Sequence, residues 1–117
     1  MIHFTVPGDR EYAIHSLVVD FNGTIATDGK LISGFAERAR ALHDQVVSLY
    51  VVTADTHGNV AKECAELPVA VHVTRPVQAE WDKENLIRRL GKDGCVAIGN
   101  GRNDVAMLKE SALGICI

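Results

Sequence analysis

Asp20 ends an apolar run, Leu17-Val18-Val19, and is followed by Phe21-Asn22-Gly23-Thr24. An unpaired carboxylate in that position is costly to desolvate. A bound divalent cation would offset the cost and leave the carboxylate as a nucleophile toward phosphorus. Asn22 and Gly23 predict a tight turn whose backbone N–H groups can point at phosphate oxygens, and Thr24 adds a hydroxyl donor. Two further polar clusters follow apolar runs: Thr53-Ala54-Asp55, and Gly99-Asn100-Gly101-Arg102-Asn103-Asp104. The second lets backbone approach a ligand closely, and Asn103-Asp104 opens a helical stretch whose N-terminal end favours anions. Lys83 could place a fixed positive charge on a transferring phosphoryl group, since such catalysis is mostly positioning and electrostatics.

Something must bring these clusters together, and the pattern of the chain supplies it. Apolar, β-branched runs occur at Ser16–Asp20, Val46–Thr53, Val69–Val73, Cys95–Ile98 and Leu113–Ile117. Nearly continuous apolar character predicts strands buried on both faces of a parallel sheet. Helical stretches alternate with them. Ser33–His43 opens on a serine cap and aligns Phe35, Ala39 and Leu42. His57–Glu66, Gln78–Leu90 (with Trp81, Leu86, Ile87 and Leu90 as its apolar side) and Asn103–Ser111 follow. Such alternation predicts an α/β fold with right-handed crossovers and a doubly wound parallel sheet. In such sheets ligands bind beyond the carboxyl ends of the strands, where all three polar clusters fall. Upstream, Ile2, Phe4 and Val6 alternate with polar residues before a Pro7-Gly8-Asp9 turn, which predicts an N-terminal β-hairpin at the sheet edge.

Each residue also has a plainer reading. Asp20 could cap a turn, Thr53 could be a strand-end threonine, and Lys83, flanked by Glu80 and Glu84, could be a solvated helix lysine. Asp55 serves equally well as a cap for the helix near His57 or as a carboxylate near the site. His3, His15, His43, His57 and His72 show no metal-ligand spacing, and Trp81 and Met107 read as core. What favours function is convergence of several clusters on one sheet edge.

Composition narrows the rest. The 117 residues are 47% hydrophobic and 23% charged, which fits one globular domain spanning 1–117. A net charge of -3 gives no support to a nucleic-acid or anionic-membrane partner, since both need a concentrated basic face. No apolar run approaches the roughly 20 residues needed to span a bilayer. Three scattered cysteines without a CxxC pair predict neither zinc nor disulfides, and so a reducing, cytoplasmic setting.

Taken together, the clusters resemble the haloacid dehalogenase (HAD) superfamily. DFNGT is similar to its first motif, whose aspartate is transiently phosphorylated. Thr53 stands where the second motif has Ser or Thr, Lys83 where the third has its lysine, and GNGRND where the fourth lies. Within the superfamily, TAD and GNGRNDVAMLK most resemble the phosphorylation domain of P-type ATPases (DKTGT, TGD, GDGxNDxxAL), and the chain looks like its small soluble relatives. The resemblance implies a HAD-like Rossmannoid core with strand order 3-2-1-4-5. It implies Asp20, Asn22 and Lys83 as catalytic positions, and Gly23, Thr24, Thr53, Ala54 and Asn103 around the phosphate. It also implies Mg²⁺ held by Asp20, Asn22, Asn100 and Asp104.

Two departures stand out. Phosphatases of the superfamily usually carry a second aspartate two residues after the nucleophile, as general acid and base; Asn22 cannot transfer that proton near neutral pH. P-type ATPases have threonine there, and their phosphoaspartate hydrolyses slowly. Asn100 replaces a metal-ligating aspartate, so a cation would lose one charged ligand. Residues 25–52 and 54–82 leave no room for a cap domain, which implies a large, macromolecular phosphorylated substrate or a homo-oligomer partner covering the site. The expected function is a slow Mg²⁺-dependent phosphohydrolase or phosphotransferase. The alternatives are a non-catalytic phosphate- or nucleotide-binding module and a regulatory subunit that contacts another protein. Nothing in the residues names the substrate or requires ATP.

Overall fold

The apolar runs become strands and the amphipathic stretches become helices. A computed structural model describes residues 1–55 and 57–117. The chain runs through β1 (Ile2–Thr5), β2 (Glu11–Ile14), β3 (Ser16–Asp20), β4 (Ala26–Thr27), β5 (Lys30–Leu31) and α1 (Phe35–Asp44). It continues through β6 (Ser48–Thr53), α2 (Asn59–Glu63), β7 (Val69–Val73), α3 (Ala79–Leu90), β8 (Cys95–Gly99), α4 (Val105–Glu110) and β9 (Leu113–Cys116). Five strands form one parallel sheet in the order β7-β6-β3-β8-β9. Counting only these strands, the order is the expected 3-2-1-4-5. β3 lies at the centre, and its register sets Asp20 beside Val52, one residue short of Thr53.

Alternate side chains of each strand enter two apolar layers. On one face Val18, Val52, Cys95 and Ala97 pack with Leu86 and Ile87 of α3 and Met107 of α4. On the other, Val19 and Val51 meet Val60 and Cys64 of the α2 segment, while Leu49 and Val47 pack with Ala39 of α1. Ile87 and Met107 are wholly buried, and each such side chain stabilises the fold by about 1.5–3 kcal/mol. Met107 is therefore core, as expected. Among the described residues no helix is long and apolar enough to cross a membrane.

The N-terminal hairpin forms, with Ile2 opposite Ile14 and Phe4 opposite Tyr12, but it does not extend the edge of the sheet. It is a separate two-stranded sheet. Tyr12 and Ile14 pack over Val96, Leu17, Ile98 and Leu113. The reason is coverage: α1 and α2 shield the β3-β6-β7 half of that face, and the apolar side of the hairpin covers Val96 and Ile98 of β8.

Several boundaries move. Helix α1 starts at Phe35 behind Gly34 at φ 91°, with no side-chain cap, so Ser33 does not cap it. Val46 sits at φ 61° and is exposed, and the strand expected from there begins at Ser48. Helices α2 and α4 are shorter than expected, and α4 is preceded by a 3₁₀ turn at Arg102–Asp104. A small antiparallel hairpin, β4–β5, occupies what reads as plain loop. Its signal was present: Asp28-Gly29 takes positive φ at both residues (51° and 79°), the backbone of a two-residue hairpin turn.

Trp81 also differs from expectation, being 54% exposed. Helix α3 buries Ala79, Lys83, Leu86 and Ile87 instead. Two residues are about 200° apart around a helix, so once Lys83 faces inward Trp81 faces out.

Candidate active site

The carboxyl end of β3 places Asp20 at the middle of the sheet edge. Its Oδ1 lies 3.2 Å from the Lys83 ammonium, which sits 2.7 Å from Asp104 Oδ1. Lys83 is 2% exposed and Asp104 is fully buried, so one lysine from α3 holds a carboxylate from β3 to a carboxylate from the loop after β8. The other Asp104 oxygen, Oδ2, accepts the backbone N–H groups of Asn100 and Gly101 at 3.1 Å each. Every oxygen of the buried carboxylate is thereby engaged.

The two carboxyls differ in ionisation. Burial pushes Asp20 above its ordinary value; Lys83 opposes this and the charge of Asp104 adds to it. Burial also pushes Asp104 upward, but the hydrogen bond from Lys83 and the N–H groups of Gly101 and Asn100 outweigh it and hold the carboxyl below its ordinary value. Asp104 is thus the fixed anion. Asp20 is the carboxyl whose charged form burial disfavours.

Backbone shape locks the loops around this cluster. The Phe21 carbonyl accepts N–H bonds from Thr24, Ile25 and Ala26, and the Gly23 N–H donates to the Ala26 carbonyl at 2.9 Å. The Gly23 N–H, expected to face a phosphate, is therefore used within the turn, as is the N–H of Thr24. Gly23 has φ 78°, and a Cβ there would lie 2.0 Å from Asn100 Nδ2. Only glycine lets Asn100 cross the turn, where its Oδ1 accepts the Thr24 hydroxyl at 3.3 Å. At Gly99 a Cβ would lie 2.6 Å from Asp104 Cγ and Oδ2. That glycine makes room for the buried carboxylate.

Thr53 ends β6, is buried, and accepts the Asp55 N–H on its hydroxyl oxygen at 3.1 Å, leaving its O–H to donate. Asp55 itself accepts N–H groups from His57 (2.9 Å) and Val60 (3.2 Å), with its carboxyl held low chiefly by the His57 bond. It acts as a cap for the α2 segment. Asn22, Ala54, Asn100 and Asn103 are exposed on the same rim. Sequence reasoning missed Thr74, at the end of β7. It is buried and gives both its N–H (2.7 Å) and its hydroxyl (3.3 Å) to the Thr53 carbonyl. Its signal was the one used for Thr53, a threonine closing an apolar run.

The donors available to a cation are all oxygens: the Asp20 carboxylate, the Asn22 carbonyl and the Asn100 amide. Such a set suits a hard dication, but it carries one charge, and Asp104 is already committed to Lys83 and backbone. Among the described residues no cluster of three or more His, Cys, Asp or Glu side chains could hold a metal. These residues fit a divalent cation.

Comparison with known proteins bears on the family and the fold. The sequence model of the haloacid dehalogenase-like hydrolases matches residues 6–111. The chain is 34% identical over 97 residues to a soluble P-type ATPase-like phosphatase of Methanocaldococcus jannaschii, a match covering 79% of this chain and 34% of that protein. It thus spans about a third of the length of that relative. A further match, 45% identical over 40 residues, is to an uncharacterised protein of the same archaeon and covers 34% of this chain and 89% of that one.

Among solved structures it resembles the cobalt-bound deoxy-D-mannose-octulosonate 8-phosphate phosphatase of Haemophilus influenzae (TM-score 0.70, 13% identity, 88% of this chain and 68% of that one). It also resembles the Moraxella catarrhalis 3-deoxy-D-manno-octulosonate 8-phosphate phosphatase solved with magnesium, phosphate and KDO (TM-score 0.71, 17% identity, 88% and 67%). At such identities the structures speak for the fold; the sequence matches speak for descent. The chain belongs to the haloacid dehalogenase-like hydrolase family.

Proposed function

We propose that this chain is a slow phosphohydrolase or phosphotransferase that works through an aspartyl phosphate on Asp20. One observation carries the reading: the Lys83 ammonium is fixed between Asp20 and a fully buried Asp104 at the carboxyl edge of the sheet. Lys83 engages Asp20 Oδ1, so Oδ2 is the attacking atom. It forms an O–P bond while the bond from phosphorus to the leaving oxygen breaks, and that oxygen takes its proton from water. In the second half water attacks phosphorus, the Asp20–phosphorus bond breaks, and inorganic phosphate leaves. Lys83 and the Thr53 hydroxyl meet the negative oxygens of the phosphoryl group during both steps. Mg²⁺, held by Asp20, the Asn22 carbonyl and Asn100, supplies further positive charge when bound.

Asn22 explains why the turnover is slow. It can orient the attacking water but cannot take its proton. The open site, with only β4–β5 and α1 between β3 and β6, favours a phosphorylated macromolecule as substrate or a second copy of the chain as cover. The test uses p-nitrophenyl phosphate with Mg²⁺, comparing the chain with Asp20→Asn. Slow turnover and an acid-stable phosphoenzyme, both lost in the variant, are the expected results. A second reading, a phosphate-binding module without turnover, is favoured by Asn22 and Asn100 together. Phosphate binding with neither turnover nor phosphoenzyme would establish it in place of the first.

A further inference from the structure

The connector from β7 to α3 carries a second set of polar contacts, which no step above uses. Asp82, in the first turn of α3, accepts three bonds from Arg75: the backbone N–H at 2.8 Å, Nε at 3.2 Å and Nη2 at 2.6 Å. Arg75 directly follows Thr74, whose two donors close on the Thr53 carbonyl. Asp82 directly precedes Lys83. A continuous path therefore runs from Thr53 through Thr74, Arg75 and Asp82 to Lys83, joining a phosphate-facing hydroxyl to the buried ammonium.

Exposed ion pairs usually contribute little to stability, and the Arg75 side chain is 59% exposed. This pair is different in geometry. The guanidinium binds both carboxylate oxygens, and the backbone N–H fixes the same carboxylate. The Arg75 guanidinium also lies 5.6 Å from the Trp81 ring centre, which holds it along the helix. The bond from Arg75 is the largest cause that keeps the Asp82 carboxyl ionised, at a value near 2. What the pair contributes is the placement of the first turn of α3 against the end of β7.

We propose that Thr74 and the Arg75–Asp82 pair are positioning residues that set the spacing between Thr53 and Lys83 across the phosphoryl site. The inference rests on the phosphoryl reading of that site. A small displacement of a positioned group costs up to about a hundredfold in rate, so the clamp acts on turnover more than on ground-state binding.

The test compares Asp82→Asn, Arg75→Gln and Thr74→Val with the conservative Asp82→Glu and Thr74→Ser, each first checked for an intact fold by circular dichroism. Two readouts are taken: kcat and KM for p-nitrophenyl phosphate, and the rate at which an amine-reactive ester labels Lys83, followed by peptide mass spectrometry. The first three variants are expected to lower kcat roughly ten- to a hundredfold with KM little changed, and to speed Lys83 labelling. The conservative pair is expected to restore both. Lys83 labelling that stays at the wild-type rate in all three variants would overturn the proposal, whatever happens to kcat. Labelling that responds as expected in a chain that neither turns over nor binds inorganic phosphate supports the clamp and defeats the phosphoryl reading alone. Variants that fail to fold are replaced by Arg75→Lys, which keeps the charge, loses the bidentate fork, and is expected to speed labelling.

Discussion

Lys83→Met removes the ammonium that joins Asp20 to Asp104 while keeping a flexible side chain of similar length in the core. In the native chain Lys83 is 2% exposed and Asp104 is fully buried. The substitution leaves Asp104 Oδ1 without its 2.7 Å partner, whereas Oδ2 keeps its two N–H donors. Breaking a buried pair by deleting one partner costs about 3–5 kcal/mol, a large share of a total stability of roughly 5–15 kcal/mol. The lower end is expected here, because two of the bonds to Asp104 survive.

The pH dependence of that loss follows from the sign of the shift. Native Asp104 is held below its ordinary 3.8, so its contribution is complete above that value and is lost as pH falls through the lower folded value. Without Lys83, burial is the largest remaining influence on this carboxyl and raises it. The group then costs stability above its raised value and ceases to as it protonates. The deficit of the variant should therefore narrow as the pH is lowered, compared at about pH 7 and about pH 5. Urea unfolding in EDTA buffer at both pH values, comparing midpoints at constant m, measures it. Adding Asp104→Asn to the variant removes the stranded charge and should recover part of the loss. A deficit below about 1 kcal/mol, or one identical at the two pH values, would refute the reasoning.

Three further perturbations probe other parts of the site. Gly99→Ala forces a Cβ to within 2.6 Å of Asp104; it should destabilise the chain by about 1–3 kcal/mol in urea and weaken binding of inorganic phosphate. Asn22→Asp should speed decay of an acid-quenched phosphoenzyme by on the order of 10²–10⁴-fold, the contribution of a positioned proton acceptor, when measured at saturating Mg²⁺ to offset the added charge. Mg²⁺ itself should bind weakly by titration calorimetry and not at all after Asp20→Ala; tight binding that survives that change would remove Asp20 from the metal site.

Elements whose signal is local were legible along the chain. The five apolar runs marked the strands of the sheet, and their alternation with helices marked it as parallel and doubly wound; its strand order came from the resemblance of the motifs. Polar clusters at the ends of those runs marked the rim, since every parallel strand ends on the same edge. Met107, read as core, is buried.

Contacts between distant segments were settled by tertiary packing alone. Lys83, between Glu80 and Glu84, has the local pattern of a solvated lysine; its partners lie 63 and 21 residues away. Trp81 lost its place in the core because α3 turned Lys83 inward. Asp55 became a cap once the α2 segment began where its carboxylate could reach two N–H groups. The hairpin moved from the edge to the face because uncovered Val96 and Ile98 lay there. Periodicity records which residues of a segment are apolar. Which of its faces meets a buried charge is decided by the free energy of pairing that charge, and the partners are contributed by other strands.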